Sequence, residues 1–467
     1  MDRRPLAPAL LALPLALALA APWSAQAAPQ KVFERQLANG LKVLVKPDHR
    51  APILTSQVWY KVGSSYETGG ITGVSHLLEH MMFKGTEARK AGEFSRIVAE
   101  NGGEDNAFTG VDYTAYYQNL ASDRLAVSFE LEADRMRHLA LKAEDFTKER
   151  EVVTEERRLR TDDDPQNLAD EQFDAVAFTT SPYRNPIIGW AGDLEQLQVQ
   201  DLREWYRLWY APNNATLVVA GDVDPEQVFA LAEQWFGPLK AETITPPKTP
   251  AEPEQRGEKR LLVKAPAKEP YLIMGYKTPN VAAAAEPWEP YALEVMSFIL
   301  DGGSSTRLTK ELVRGGKIAA TAGASYSPFS RLPGLFQFDG VPANGHDIPA
   351  LEQALRAQVD RLQREPVDAA ELERIRTQLI ANKVYEQDSV FNQAMKLGLL
   401  ETVGLGWELA DQYVDRLGAV TPDQVQAVAQ KYLTPDRLTV AVLEPQPLDG
   451  KQPPQAATGM GGNGDVR

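Results

Sequence analysis

His76-Leu77-Leu78-Glu79-His80 is the stretch from which this chain is best read. The chain holds five histidines, and two of them fall here. Residues four apart on a helix are neighbours on one face, so both imidazoles can reach one metal ion. Glu79 projects from the same side, close enough to act on a metal-held water. Leu77, Leu78, Met81, Met82 and Phe83 surround the polar trio, so Val74 to Phe83 reads as a helix apolar nearly all round and therefore buried. Unpaired buried polar groups are costly, and a metal ion satisfies all three at once. The competing reading is two core histidines bonded to backbone, with Glu79 pairing one of them. A lone histidine favours that reading; three groups in this order favour the metal.

Catalytic zinc commonly takes three protein ligands and keeps a fourth position for water. His-x-x-Glu-His supplies two, in the reverse order of the usual zinc-hydrolase helix. The third is sought in Phe146 to Leu159. On a helical wheel Phe146, Glu149, Val152, Val153 and Glu156 share one stripe, with Glu155 to one side. Glu149 and Glu156 stand two turns apart, about 10 Å along the axis, which argues against their sharing one ion. Spacing leaves open which of them is the ligand. A charged surface helix with one apolar stripe is the competing reading.

The text from His76 through Met81-Met-Phe-Lys-Gly-Thr86 resembles the zinc helix and following turn of the M16 peptidase family, which includes pitrilysin, insulinase and the mitochondrial processing peptidase. Glu149-Arg-Glu-Val-Val-Thr-Glu-Glu156 resembles the family's downstream helix. The resemblance implies one zinc per chain, with Glu156 as third ligand and Glu149 as its supporting carboxylate. Asn106-Ala107-Phe108-Thr109 and the residues up to Tyr117 resemble the edge strand on which the family lays its peptide substrate. The likeness runs from about Val32 to about Leu443, the span of the short two-domain members.

The halves of the chain share a grammar. Leu41 to Lys46 and Leu54 to Tyr60 read as strands opening the first; Leu261 to Lys264 and Tyr271 to Tyr276 open the second. An apolar helix follows in each, Val74 to Phe83 and Pro290 to Leu300. Late in each half an amphipathic helix ends at a tyrosine (Tyr210, Tyr432), followed by a proline and a β-rich run. This reads as a duplication. Together with the resemblance it implies an α+β fold of two homologous domains, each a mainly antiparallel sheet flanked by helices, facing each other as a clamshell. The expected divisions are a signal peptide at 1–27, a metal-binding domain at 28–237, a proline-rich linker at 238–259, a metal-free domain at 260–444, and a disordered Gly, Pro and Gln-rich tail at 445–467.

With 467 residues the chain exceeds one ordinary core. Its hydrophobic share of 43% is that of a soluble globular protein. The net charge of −15 argues against a nucleic-acid or anionic-membrane surface. Arg3 and Arg4, the apolar run from Leu6 to Trp23 and Ala25-Gln26-Ala27 read as an export signal with removal expected after Ala27; a segment retained as an uncleaved membrane anchor is the competing reading. No second segment is long and apolar enough to span a bilayer, so no stable membrane insertion is expected once the signal is removed. The chain has no cysteine, which excludes disulfides and thiolate metal sites and fits a bacterial periplasmic protein. His49, His138 and His346 read as surface residues.

The second half departs from the family in one place. An arginine and, seven residues on, a tyrosine are expected there to hold the substrate backbone. Here Val313 and Ala320 occupy those positions. Arg314 is the nearest substitute for the arginine and Tyr326 the alternative donor. Alanine cannot donate a hydrogen bond to a developing oxyanion. The missing groups are expected from a metal-free M16 homologue in a heterodimer; a homodimer is the other arrangement.

These readings converge on an endopeptidase in which zinc lowers the pKa of water and Glu79 moves its proton. Extended or unfolded peptides would add as a strand beside Asn106, Ala107 and Phe108. The rival reading is a non-catalytic peptide-holding or assembly subunit. Such relatives lose part of the His-x-x-Glu-His trio, which is intact here. Dedicated maturation of one peptide shares the chemistry and differs only in substrate.

Overall fold

A computed structural model describes residues 31–448 except Thr249. The expected signal peptide and most of the expected tail lie outside the described residues. The first sheet has six strands in the order β1-β2-β6-β3-β5-β4: β1 Phe33–Gln36, β2 Lys42–Pro47, β3 Ile53–Tyr60, β4 Glu104–Thr109, β5 Thr114–Ala121 and β6 Ala215–Gly221. The second has five in the order β7-β11-β8-β10-β9: β7 Lys259–Pro266, β8 Tyr271–Thr278, β9 Ala319–Tyr326, β10 Gly334–Pro342 and β11 Leu438–Gln446. β11 therefore runs two residues into the segment expected as tail. Each sheet is antiparallel apart from one parallel pair, β2 with β6 and β7 with β11. Late in each half come a helix (Val199–Trp209; Pro422–Tyr432), a short 3₁₀ turn starting at proline, and the strand β6 or β11; in the first half helix Pro225–Trp235 follows. No helix among the described residues is long and apolar enough to cross a membrane.

Strand composition follows burial. Every residue of β6 is buried, and Val43, Leu44 and Val45 of β2 are too. A parallel pair covered on both faces needs such continuous apolar runs. One face of the first sheet packs on its own helices through Val43, Val45, Val58, Tyr116 and Leu217. The other face, with Leu44, Trp59, Ala115, Val218 and Ala220, is covered by Ala394 and Leu397 of helix Val390–Thr402, which belongs to the second half of the chain. The second sheet shows the converse. Its Tyr271, Ile273, Ala441 and Leu443 pack under Ala169, Phe173 and Ala177 of helix Pro165–Ala177 from the first half. Each domain thus lends one helix to the other's sheet. Burial of both sheet faces, worth roughly 25 cal/mol per Å² of apolar surface removed from water, is achieved only with both halves present.

Polar contacts fasten the same boundary. Asp112 is buried and accepts hydrogen bonds from Ser65 Oγ (2.7 Å), Tyr183 Oη (2.5 Å) and the backbone N–H of Arg331 (2.9 Å). The Arg331 guanidinium donates to the Ser65 carbonyl at 3.0 Å and lies over the Tyr66 ring at 4.2 Å. Arg50 reaches Asp388 at 3.0 Å, and Gln393 donates to Asp48 at 2.8 Å.

Candidate metal centre

The histidine helix runs Val74–Met81, stopping two residues before the expected end at Phe83. Its apolar residues are buried, but the polar trio opens to solvent: the His76 and His80 side chains keep 13% and 23% of their exposure, enough for a small molecule to arrive. The helix is therefore buried on one side only. Its N-terminus is held by Glu67, whose two oxygens accept the N–H groups of Gly73 and Ser75, each at 2.8 Å. These are orphan donors of a helix start, where negative charge is favoured. Burial pushes the Glu67 carboxyl up to about 7. Gly73 has φ +87°, and a Cβ there would stand 2.6 Å from the Ile188 carbonyl, so glycine is required.

The second helix runs Ala143–Arg157 and continues as a π-helical turn to Asp162. Phe146, Glu149 and Val153 are buried, but Val152 is 48% exposed. The stripe read from the sequence is thus narrower than expected, and Val152 does not belong to it; the wheel places it at the stripe's edge, on the solvent side. Arg157 fixes this helix: it is buried, and its guanidinium donates to both Glu171 oxygens (2.7 and 2.9 Å) and to the Gly189 carbonyl (2.7 Å).

The two helices bring His76, His80 and Glu156 together, with one ligand atom from each lying within 4.8 Å of the others. Glu156 Oε2 is 3.4 Å from His80 Nε2 and 3.9 Å from His76 Nε2. Its other oxygen meets Arg160 at 2.7 Å. Glu149 sits on the far side of His80: its Oε2 is 3.4 Å from His80 Nδ1, and its Oε1 is 2.7 Å from Lys84 Nζ. His80 thus has Glu156 at one ring nitrogen and Glu149 at the other. His76 Nδ1 is buried without a hydrogen-bond partner among the described residues.

The electrostatics suit a cation. Burial, then the neighbouring His80, pushes His76 down to about 4, which keeps its imidazole neutral and able to ligate. For His80 burial acts downward, but Glu156, Glu79 and Glu149 outweigh it and the net shift is upward. Burial alone would lift Glu156; His80, His76 and Arg160 reverse it, so its carboxylate is held below the usual range. Burial raises Glu79, whose carboxylate accepts a hydrogen bond from Thr109 Oγ1 at 2.5 Å. Two imidazoles and a carboxylate are a donor set that zinc accepts, and three ligands leave a place for water.

Asn106, Ala107 and Phe108 lie on β4, which among the described residues pairs only with β5 and has its other edge unpaired, beside the histidine helix. Arg314 is exposed in the second domain, with no hydrogen bond or ion pair to another described residue. Ala320 is exposed on the edge strand β9, and Val313 packs against the second core. Tyr326 is unsuited as a replacement donor: its hydroxyl already donates to the Pro279 carbonyl at 2.7 Å. His49 and His138 are exposed and pair with Asp222 and Asp134. Sequence reasoning missed Glu67, Lys84, Thr109 and Arg160 as contributors. Lys84 and Thr109 stood inside the quoted motifs, whereas Glu67 carried no pattern.

Comparisons with known proteins agree with this geometry. Residues 42–190 match the insulinase (peptidase family M16) model, and residues 196–379 match that of the peptidase M16 inactive domain. The zinc protease PqqE of Helicobacter pylori is 34% identical over 366 residues, covering 78% of this chain and 81% of that one. An uncharacterized zinc protease of Bacillus subtilis, YmxG, is 25% identical over 87% of this chain and 97% of its own. The crystal structure of a protease from Helicobacter pylori superposes with a TM-score of 0.85 at 30% identity, covering 89% of this chain and all of that one. The periplasmic protease PqqL of Escherichia coli shares the fold at 18% identity and TM-score 0.75; this chain spans 90% of itself but only 48% of PqqL. Conserved architecture, zinc-protease relatives and both family models lead to one conclusion: the chain belongs to the M16 peptidase family, in its two-domain form.

Proposed function

We propose that this protein is a zinc-dependent endopeptidase that cleaves extended or unfolded peptides. The observation that carries this reading is the convergence of His76, His80 and Glu156 with Glu79 alongside. Zinc, when bound, supplies Lewis acidity that acidifies water and polarises the scissile carbonyl. His76, His80 and Glu156 are assigned as its ligands. Glu149 orients His80 through Nδ1 and is itself anchored by Lys84; such outer contacts hold a ligand in its useful orientation. Glu79 takes a proton from the attacking water and delivers it to the leaving amine. The open edge of β4 offers backbone groups at Asn106, Ala107 and Phe108 to a peptide strand, which gives affinity with little demand on sequence.

A metal-free M16 homologue is the proposed partner, completing the site as a heterodimer. Support comes from the second domain: alanine and valine stand where a backbone-holding pair is needed, and the Tyr326 hydroxyl is engaged elsewhere. PqqL, a single chain about two such units long, offers a precedent for paired units at the level of fold. The basic, apolar and small-residue segments of 1–27 and the lack of cysteine support export to the periplasm. Metal analysis tests the reading, together with cleavage of a quenched fluorescent peptide, with and without chelator and homologue. Stoichiometric zinc and chelator-sensitive cleavage are expected. A chain that takes up no metal and cleaves nothing under any of these conditions would be a peptide-holding subunit instead.

A further inference from the structure

We propose that Thr109 is the positioning residue that aims the Glu79 carboxylate, an assignment that rests on the peptidase reading above. Thr109 Oγ1 donates to Glu79 Oε2 at 2.5 Å. Among the described residues no other side chain or backbone group hydrogen-bonds this carboxylate. The terminal torsion of a glutamate is broad and weakly preferred, and catalytic groups must be held within about 0.5 Å of their productive place. One hydrogen bond fixes which oxygen is offered.

The hydroxyl is itself firmly set. Threonine is stiff at χ1 in a strand, and Thr109 is the last residue of β4, paired with Thr114 of β5. The turn that follows is pinned from the second domain, where the Arg331 backbone donates to Asp112 and its guanidinium reaches Ser65. Asn106 to Phe108, the residues proposed to receive the peptide, precede Thr109 on the same strand. Peptide docking and base orientation therefore share one rigid element. A merely structural hydroxyl would satisfy a half-buried carboxylate and affect stability without separating kcat from KM.

Thr109→Val keeps the side-chain shape and removes the donor; Thr109→Ser keeps the donor. Both are compared with the parent as the full mature chain, zinc-loaded and supplied with any partner it requires. For Thr109→Val, kcat should fall at least about tenfold with KM within about twofold, while zinc content and melting temperature stay at parent values. Thr109→Ser should retain kcat within about threefold. Crystal structures should show Glu79 held at residue 109 in the parent and the serine variant, and turned away or in several rotamers in the valine variant. A valine variant with parental kcat, equal losses in both variants, or an unmoved Glu79 in the valine structure would overturn the assignment. If the parent neither binds zinc nor cleaves peptide, the peptidase reading falls, and the crystallographic comparison still decides the role of Thr109.

Discussion

Gly398 lies so close to the indole of Trp59 that a Cβ built on the glycine would stand 2.2 Å from the ring nitrogen. The two residues belong to different domains. The reciprocal contact sets Phe173 on Gly275, where an added Cβ would stand 2.5 Å from the phenyl ring. The positions correspond: Trp59 pairs with Thr216 and Gly275 with Thr439, each the second residue of its half's last strand. Phe173 and Gly398 are each the ninth residue of the helix that is lent across.

Alanine at position 398 should therefore destabilise the protein, although alanine normally improves a helix by about 1 kcal/mol over glycine. Overpacking against the indole is expected to cost about 1–3 kcal/mol. Gly275→Ala should behave alike, and the double variant should lose close to the sum, since the contacts lie on different sheets. Urea unfolding measures all three. A more stable Gly398→Ala would mean that the contact is looser than described.

Arg331→Ala should cost about 3 kcal/mol, because it strips the buried Asp112 of its charged partner. A double-mutant cycle with Asp112→Asn should return a coupling on the order of 1–3 kcal/mol. Additive effects would show that Ser65 and Tyr183 suffice for Asp112.

The carboxylates around the histidines should separate by metal affinity. Glu149→Gln is expected to weaken zinc binding by about 10–100-fold through the looser His80. Glu156→Gln should weaken it further, and Glu79→Gln should leave it intact while abolishing cleavage. Competition with a chromogenic chelator ranks the three. An order with Glu149 above Glu156 would reverse the ligand assignment.

Glu252 gives stability a dependence on acid. Burial alone would raise its carboxyl, but Lys277 and the N–H groups of Thr179, Thr180 and Ser181 outweigh it and hold it at about 2, below its ordinary 4.5. A group lowered on folding contributes stability above its unfolded pKa and loses it as pH falls through its folded one. Between pH 4.5 and about 2 the parent should therefore lose stability more steeply than Glu252→Gln. Parallel pH profiles from thermal unfolding would remove this role.

The histidine trio was legible because chemistry and helical period coincide in five residues. Two similar sheets were legible from the repeated order of strand, helix, tyrosine and proline. Glu149 and Glu156 could not be told apart by spacing: both face His80, and only the three-dimensional path shows that they approach different ring nitrogens. The lent helices were not legible either. Gly398 and Gly275 look like ordinary interruptions of a helix and a strand, and nothing local says that an aromatic ring from the other half fills each gap. Arg331 sits in a short loop with no periodicity, so its tie to Asp112, 219 positions away, leaves no local trace.

The lent helices also bear on descent. A half-length ancestor of this design would leave one sheet face bare, and two copies swapping helices would cover both. In that symmetric pair the ring-on-glycine contact is a single contact met twice, made by the same two residues each time. In this chain the two halves meet the same crowding in opposite ways: bulk in the sheet at Trp59, bulk in the helix at Phe173.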